Sequence, residues 1–254
     1  MGEFTEPDVL LRTADTIMNE SKKRNLTLRL LGALAFYKHC PQFNYFQIES
    51  KRIFTDIDFM SYIEQKRDIE KMFLDLGYID DKRIQTVPGV KRSIFFSAEN
   101  SLHSDIFYDV LEFSHAIGFK GRLEIDYPTI SLVDLFLEKM QIFQINKKDI
   151  IDTIMLLCEH AVGSTDNEEI NIDYLSKTCK SDWGLWKTLT TNLDKIDRLL
   201  DKYNFLSTDH KRIVRERLHC IKQRIDDEPA TIGWKLRSRI GERVKWYRDV
   251  DEVI

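Results

Sequence analysis

The 254-residue chain has 43% apolar and 11% aromatic residues, enough to bury one good core or a core plus a smaller second domain, and too many for a disordered polypeptide. Its charged residues, 31% of the chain, leave a net charge of -4, which excludes a protein that coats nucleic acid through bulk charge; any such contact needs a local patch. No apolar run approaches the roughly 20 residues that span a bilayer. The acidic Met1–Glu6 run lacks a signal peptide's apolar core, and Cys40, Cys158, Cys179 and Cys220 stand too far apart to suggest a zinc site. The expectation is a soluble cytoplasmic protein with buried or inert thiols and no membrane contact.

Pro7 suits the first turn of an opening helix that places Leu10, Ala14, Ile17 and Met18 on one face. Leu26–Leu31 reads as a strand stopping at Gly32, and a helix from Ala33 to His39 ends at Cys40-Pro41. Thr55–Tyr62 is a second strand. The next helix has Ile69, Met72, Phe73 and Leu76 at helical spacing, closed by Gly77. Three strand-like runs follow, Arg92–Ser97, His103–Tyr108 and Arg122–Tyr127, the first two joined by a turn at Ala98–Ser101. This alternation argues an α/β or α+β domain.

From Ser131 the pattern turns helical. Leu132–Ile145 and Lys147–His160 form two helices, and the polar run Gly163–Asn167 reads as a linker. The expected division is a domain over 1–163 and a helical domain over 164–254. In the latter, Leu189, Leu193, Ile196, Leu200 and Tyr203 form an apolar stripe. Helices at Thr208–Ile225 and Thr231–Tyr247 flank the Pro229 break.

Chemistry centres on Thr55-Asp56-Ile57-Asp58-Phe59. Residues two apart in a strand share a face, so Asp56 and Asp58 project together while Ile57 and Phe59 pack behind them. Paired carboxylates repel unless a cation or proton sits between them, and hard oxygen ligands suit magnesium bound with substrate phosphates. Asp-x-Asp is common in solvated turns, but a solvated turn has no use for Ile57, Phe59 and Met60. Asp105, within its own strand, supplies a third carboxylate, the set that two-metal phosphoryl or nucleotidyl transfer requires, and would accept the acceptor's proton. The competing reading has Asp105 capping a turn or pairing with Arg92 or Arg122.

Leu31-Gly32-Ala33-Leu34-Ala35, then Arg52–Phe59, then Asp105, resemble the nucleotidyltransferase superfamily, whose general model is DNA polymerase β. Leu137–Gln141 and Lys148-Asp149-Ile150-Ile151-Asp152 are similar to the paired-helix signature of its abortive-infection (AbiEii-type) toxin branch. The resemblance spans roughly Leu26 to His160. It implies an α+β nucleotidyltransferase-type mixed sheet flanked by helices, followed by a helical C-terminal region. It implies transfer of a nucleoside monophosphate from a nucleoside triphosphate to an acceptor hydroxyl on RNA (tRNA especially), protein or a small molecule, with a toxin or phage-defence role and an antitoxin partner. Asp56, Asp58 and Asp105 would ligate Mg2+ in a two-metal site. The Gly32-Ala33 turn would bring backbone amides to the triphosphate, Lys139 would neutralise phosphate, and Lys148 and Asp149 would orient that neighbourhood.

The sequence departs from that pattern at Ala33, where the family has Gly or Ser, and in the long connection from Gly32 to Asp56. Both favour the alternative of a catalytically weak nucleotide-binding or interaction protein. Plainer readings are a snorkelling Lys139, an Asp149 favoured by its helix dipole and an ordinary turn at Gly32. His103 and His115 could touch substrate or simply be packed. At the C-terminal end, Lys235, Arg239 and Arg243 with Trp246 suggest an RNA surface, or the solvated side of a helix whose Leu236, Ile240, Val244 and Tyr247 are buried.

Overall fold

The computed structural model describes residues 6–81, 91–98 and 102–250. It is a mixed α+β protein whose contacts divide it into two units. The first comprises Met1–His39, Lys51–Leu111 and Gly118–Ser131; the second comprises Cys40–Ser50, Glu112–Ile117 and Leu132–Ile254.

In the first unit, α1 (Pro7–Lys23) buries Leu10, Ala14, Ile17 and Met18, the face read from the sequence. Then come β1 (Leu28–Leu31) and α2 (Gly32–His39). A short helix, α3 (Tyr45–Glu49), interrupts and belongs to the second unit. The chain resumes with β2 (Asp56–Ser61), α4 (Lys66–Asp75), β3 (Tyr78–Asp80), β4 (Arg92–Ser97) and β5 (His103–Tyr108). The five strands form one sheet in the order β1-β2-β5-β4-β3. The β2–β5 pair is parallel and the other three are antiparallel. Ile57 and Phe59 point to the core side, where Phe73 of α4 stacks on Phe95 of β4 with centroids 4.7 Å apart. Strand alternation therefore turns Asp56 and Asp58 to the opposite face.

Two expectations fail here. Arg122–Tyr127 is no strand: its segment folds as turns, with Arg122 N donating to Phe119 O at 3.0 Å and Ile125 N to Arg122 O at 3.3 Å. Local turn bonds satisfy its backbone, and the sheet edge instead meets the next residues, where Leu30 N donates to Pro128 O and Ile130 N to Leu30 O. The turn expected at Ala98–Ser101 lies, but for Ala98, outside the described residues.

Two further three-residue strands, β6 (Val110–Glu112) and β7 (Ala116–Gly118), precede the helical part. In the second unit, α5 (Leu132–Met140) and α6 (Lys147–Glu159) are buried along nearly their whole lengths, charged residues included. Such helices must be covered on every side. The unit accordingly takes them in, whereas the sequence grouped them with the sheet. The polar run Gly163–Asn167 joins a parallel strand pair, β8 (Ala161–Gly163) and β9 (Glu169–Asn171). Next come α7 (Ile172–Ser181), α8 (Trp183–Leu199), α9 (Thr208–Asp227) and α10 (Ile232–Ile240). Leu189, Leu193, Ile196 and Leu200 are buried, as their stripe predicts.

The last helix is shorter than the expected Thr231–Tyr247, because Gly241 takes φ +60 at its C-cap and ends it. Of its expected apolar face, Leu236 is 56%, Ile240 45% and Val244 58% exposed, while Tyr247 is half-buried and stacks on Phe143. Trp234 and Arg237 hold the helix instead. The Trp234 ring meets Trp186 edge-on at 5.2 Å, and the Arg237 guanidinium lies 4.5 Å from the Trp183 ring centre. Among the described residues no helix is long and apolar enough to cross a membrane. Cys40, Cys158 and Cys179 are buried, with burial pushing their thiols up, but Cys220 is exposed.

Candidate active site

The parallel β2–β5 register sets Asp56 opposite His103 and Asp58 opposite Asp105. Residues directly opposite on paired strands share a face, so all four side chains rise from one side of the sheet. The antiparallel β1–β2 register places Leu31 opposite Asp58, which brings the β1-to-α2 turn alongside it. That turn is Gly32, in the left-handed region at φ +72. A Cβ added at Gly32 would stand 2.0 Å from Asp58 Oδ2. The backbone thus abuts the Asp58 carboxylate, and glycine is required by space as well as by torsion. Ala33, the next residue, is buried.

The three carboxylates sit in different surroundings. Asp56 is partly exposed, with His103 Nε2 at 3.9 Å from its Oδ2. The His103 ring leans on Phe96 at 5.8 Å. Asp58 is likewise half-buried. Asp105 is only 3% exposed. Burial raises its pKa, the neighbouring Arg92 and His103 pull it down, and Asp56 raises it again. Arg92 Nη2 donates to Asp105 Oδ2, the ion pair weighed from the sequence. Its guanidinium lies 5.1 Å from the Phe107 ring centre, fixed by the cross-strand pairing of Arg92 with Phe107. Asp105 Oδ1 and Arg92 Nε remain buried without hydrogen-bond partners.

These residues fit a hard divalent cation in kind. Half-exposed Asp58 stands in register with buried Asp105, Asp56 rises two residues away on the same face, and Asp105 keeps an unbonded oxygen, an arrangement costly without a cation or proton. Arg92 already neutralises the other Asp105 oxygen. Among the described residues no set of three or more His, Cys, Asp or Glu side chains is drawn together in metal-ligand fashion.

Lys139 and Asp149 come together within the second unit. Lys139 is 6% exposed, and its Nζ lies 3.0 Å from Glu138, 3.3 Å from Asp149 and 3.5 Å from Asp152. Gln47 of α3 donates to Asp152 Oδ1 at 2.7 Å. Asn146, the N-cap of α6, accepts from Asp149 N at 3.0 Å. Lys139 is therefore a buried cation among three carboxylates rather than a snorkelling surface lysine. Lys148 is exposed, and the fold does not bring it to this group.

Sequence reasoning missed Glu138 and Gln47 here. Asp152 was signalled by its three-residue spacing from Asp149, which puts both on one face of α6; nothing in the sequence pointed to Gln47. His115 is a packed histidine, 6% exposed with its Nε2 2.8 Å from Thr188 Oγ1. Trp246 is tied to the same hydroxyl by its Nε1 at 3.1 Å and meets Phe143 edge-on.

No protein-family model matches the chain, and no curated protein matches it. Among solved structures, it is similar to the antibiotic-resistance factor ANT(2'')-Ia, an aminoglycoside nucleotidyltransferase, at 13% identity and a TM-score of 0.43, over 68% of this chain and 95% of that one. A likeness of that size decides nothing about the site, which stands on its own residues.

Proposed function

We propose that the sheet unit is a magnesium-dependent nucleotidyltransferase, moving a nucleoside monophosphate from a nucleoside triphosphate to an acceptor hydroxyl. The register that puts Asp58 beside Asp105, with the Gly32 backbone against the Asp58 carboxylate, carries this reading. Asp56, Asp58 and Asp105 would hold magnesium, which supplies charge neutralisation at the phosphates when bound. In the reaction the α-phosphorus loses its bond to the bridging oxygen, pyrophosphate leaves, and an ester forms to the acceptor oxygen. The acceptor's proton goes to a base, and Asp105 suits that role because burial raises its proton affinity while Arg92 leaves Oδ1 open. The resemblance of Gly32, Asp56, Asp58 and Asp105 to the superfamily leaves RNA (tRNA especially), a protein side chain or a small molecule as acceptor, and that of Leu137–Gln141 and Lys148–Asp152 supports a toxin or phage-defence component of the AbiEii type, with an antitoxin partner, as the biological setting.

A second reading has a specific observation behind it. Arg92 already balances Asp105, and Ala33 supplies no side-chain donor to phosphate, as in a protein that binds nucleotide and turns it over poorly. Incubation with each labelled triphosphate, magnesium and total RNA separates the two. Label transfer that falls at least 100-fold in Asp58→Asn supports the enzyme. Metal-dependent nucleotide binding without transfer to RNA, protein or small molecules supports the second reading, and no binding at all defeats both.

A further inference from the structure

Helix α10 has two sides with opposite fates. Trp234 and Arg237 face α8, and Lys180 of α7 sits 5.1 Å from the Trp234 ring centre. The other side bears Ile232, Leu236 and Ile240 at four-residue spacing, so they stack along one ridge about 12 Å long. They are 79%, 56% and 45% exposed. Isolated exposed aliphatics are ordinary; a contiguous ridge of them marks an interaction site. One edge of the ridge is basic. Lys235 and Arg239, also four apart, are exposed and make no ion pair among the described residues. Elsewhere in the same unit, exposed Arg212 and half-buried Arg215 are paired with carboxylates.

We propose that this face docks an amphipathic helix of a partner protein whose apolar stripe is flanked by Asp or Glu. A row of aliphatics with a charged edge is what a partner helix reads, its ridge residues filling the gaps and its carboxylates meeting the cations. The charge row selects the occupant. An antiparallel pair of copies of this chain would bring cation to cation along that edge. Helices that lie on membranes set an apolar side of Trp, Phe and Leu against Lys and Arg; the ridge of α10 offers only three aliphatic side chains, its Trp234 packs on Trp186, and the chain as a whole is acidic. RNA would leave the aliphatic ridge uncovered, and Trp246 is held by Thr188 rather than offered for stacking.

The test uses the full chain and two labelled synthetic peptides of about 20 residues: a helix with leucines at three- and four-residue spacing flanked by glutamates, and its lysine-flanked counterpart. Fluorescence anisotropy at low salt should show the acidic peptide binding at least tenfold tighter than the basic one, weakening as salt rises. Leu236→Asp, and separately Lys235→Glu with Arg239→Glu, should each weaken it at least tenfold with unchanged circular dichroism. These exposed positions should leave the fold intact; if one variant unfolds, the other decides. Equal binding of the two peptides, no binding, or insensitivity to both variants would overturn the proposal. So would dimerisation, or sedimentation with phosphatidylcholine–phosphatidylserine vesicles, that Leu236→Asp abolishes while acidic-peptide binding is absent.

Discussion

Gly32→Ala tests the site with a built-in control. Gly32 at φ +72 and Gly77 at φ +85 both occupy the left-handed region, so alanine at either costs about 1–2 kcal/mol in backbone torsion. The surroundings differ: a Cβ at Gly77 meets nothing within 4 Å, whereas at Gly32 it lies 2.0 Å from Asp58 Oδ2. The Asp58 carboxylate must then retreat by roughly 1.5 Å to reach ordinary contact distance. Displacing a reacting group by about 1 Å can cost on the order of 100-fold in rate. Both variants should therefore melt about 2–8 °C below wild type. Only Gly32→Ala should also lose label transfer, by roughly 100-fold. Thermal melts followed by circular dichroism and transfer assays at saturating magnesium measure the two effects. Equal transfer by both variants would refute the placement of Asp58 at the chemistry. An unchanged melt in Gly32→Ala would refute the turn geometry itself.

Lys139→Met removes the cation that three buried carboxylates share in the second unit. Breaking a buried ion pair from one side costs roughly 3–5 kcal/mol, so the melting temperature should fall by roughly 6–20 °C, and a melt within 2 °C of wild type would show the cluster to be dispensable. His115 tests pH dependence. Burial holds its folded pKa below 6.5, with Asp182 opposing and Arg248 assisting. The unfolded chain then binds more protons than the folded one, so the stability from neutral His115 is complete above pH 6.5 and is lost as pH falls through the folded pKa. Melts from pH 7.5 to 5 should show wild type losing stability more steeply than His115→Gln, which keeps a polar partner for Thr188; parallel slopes would refute the assignment.

Periodicity was sufficient wherever a segment decides its own environment. Leu10, Ala14, Ile17 and Met18 declared the buried face of α1, and Ile57 and Phe59 declared the core side of β2, hence the outward face of Asp56 and Asp58. It failed where partners decide. Arg122–Tyr127 alternates like a strand but spends its backbone bonds on local turns. Leu236 and Ile240 look like a core face, yet the packing of Trp234 against Trp186 rotates the helix so that they face outward.

The candidate site divides along the same line. The sequence by itself determined the strand and the face of Asp56 and Asp58, because an Asp-x-Asp flanked by apolar residues is a core strand with two carboxylates on its open side. It also placed Asp105 on a strand of its own. Only the tertiary structure decided that Asp58 and Asp105 stand opposite each other, since register between strands 47 residues apart is set by the whole sheet. The same assembly gave Arg92 to Asp105, through cross-strand neighbours on β4 and β5. It also set Lys139 within reach of Glu138, Asp149 and Asp152, because a buried charge needs neighbours of opposite charge and helix packing decides which ones it meets.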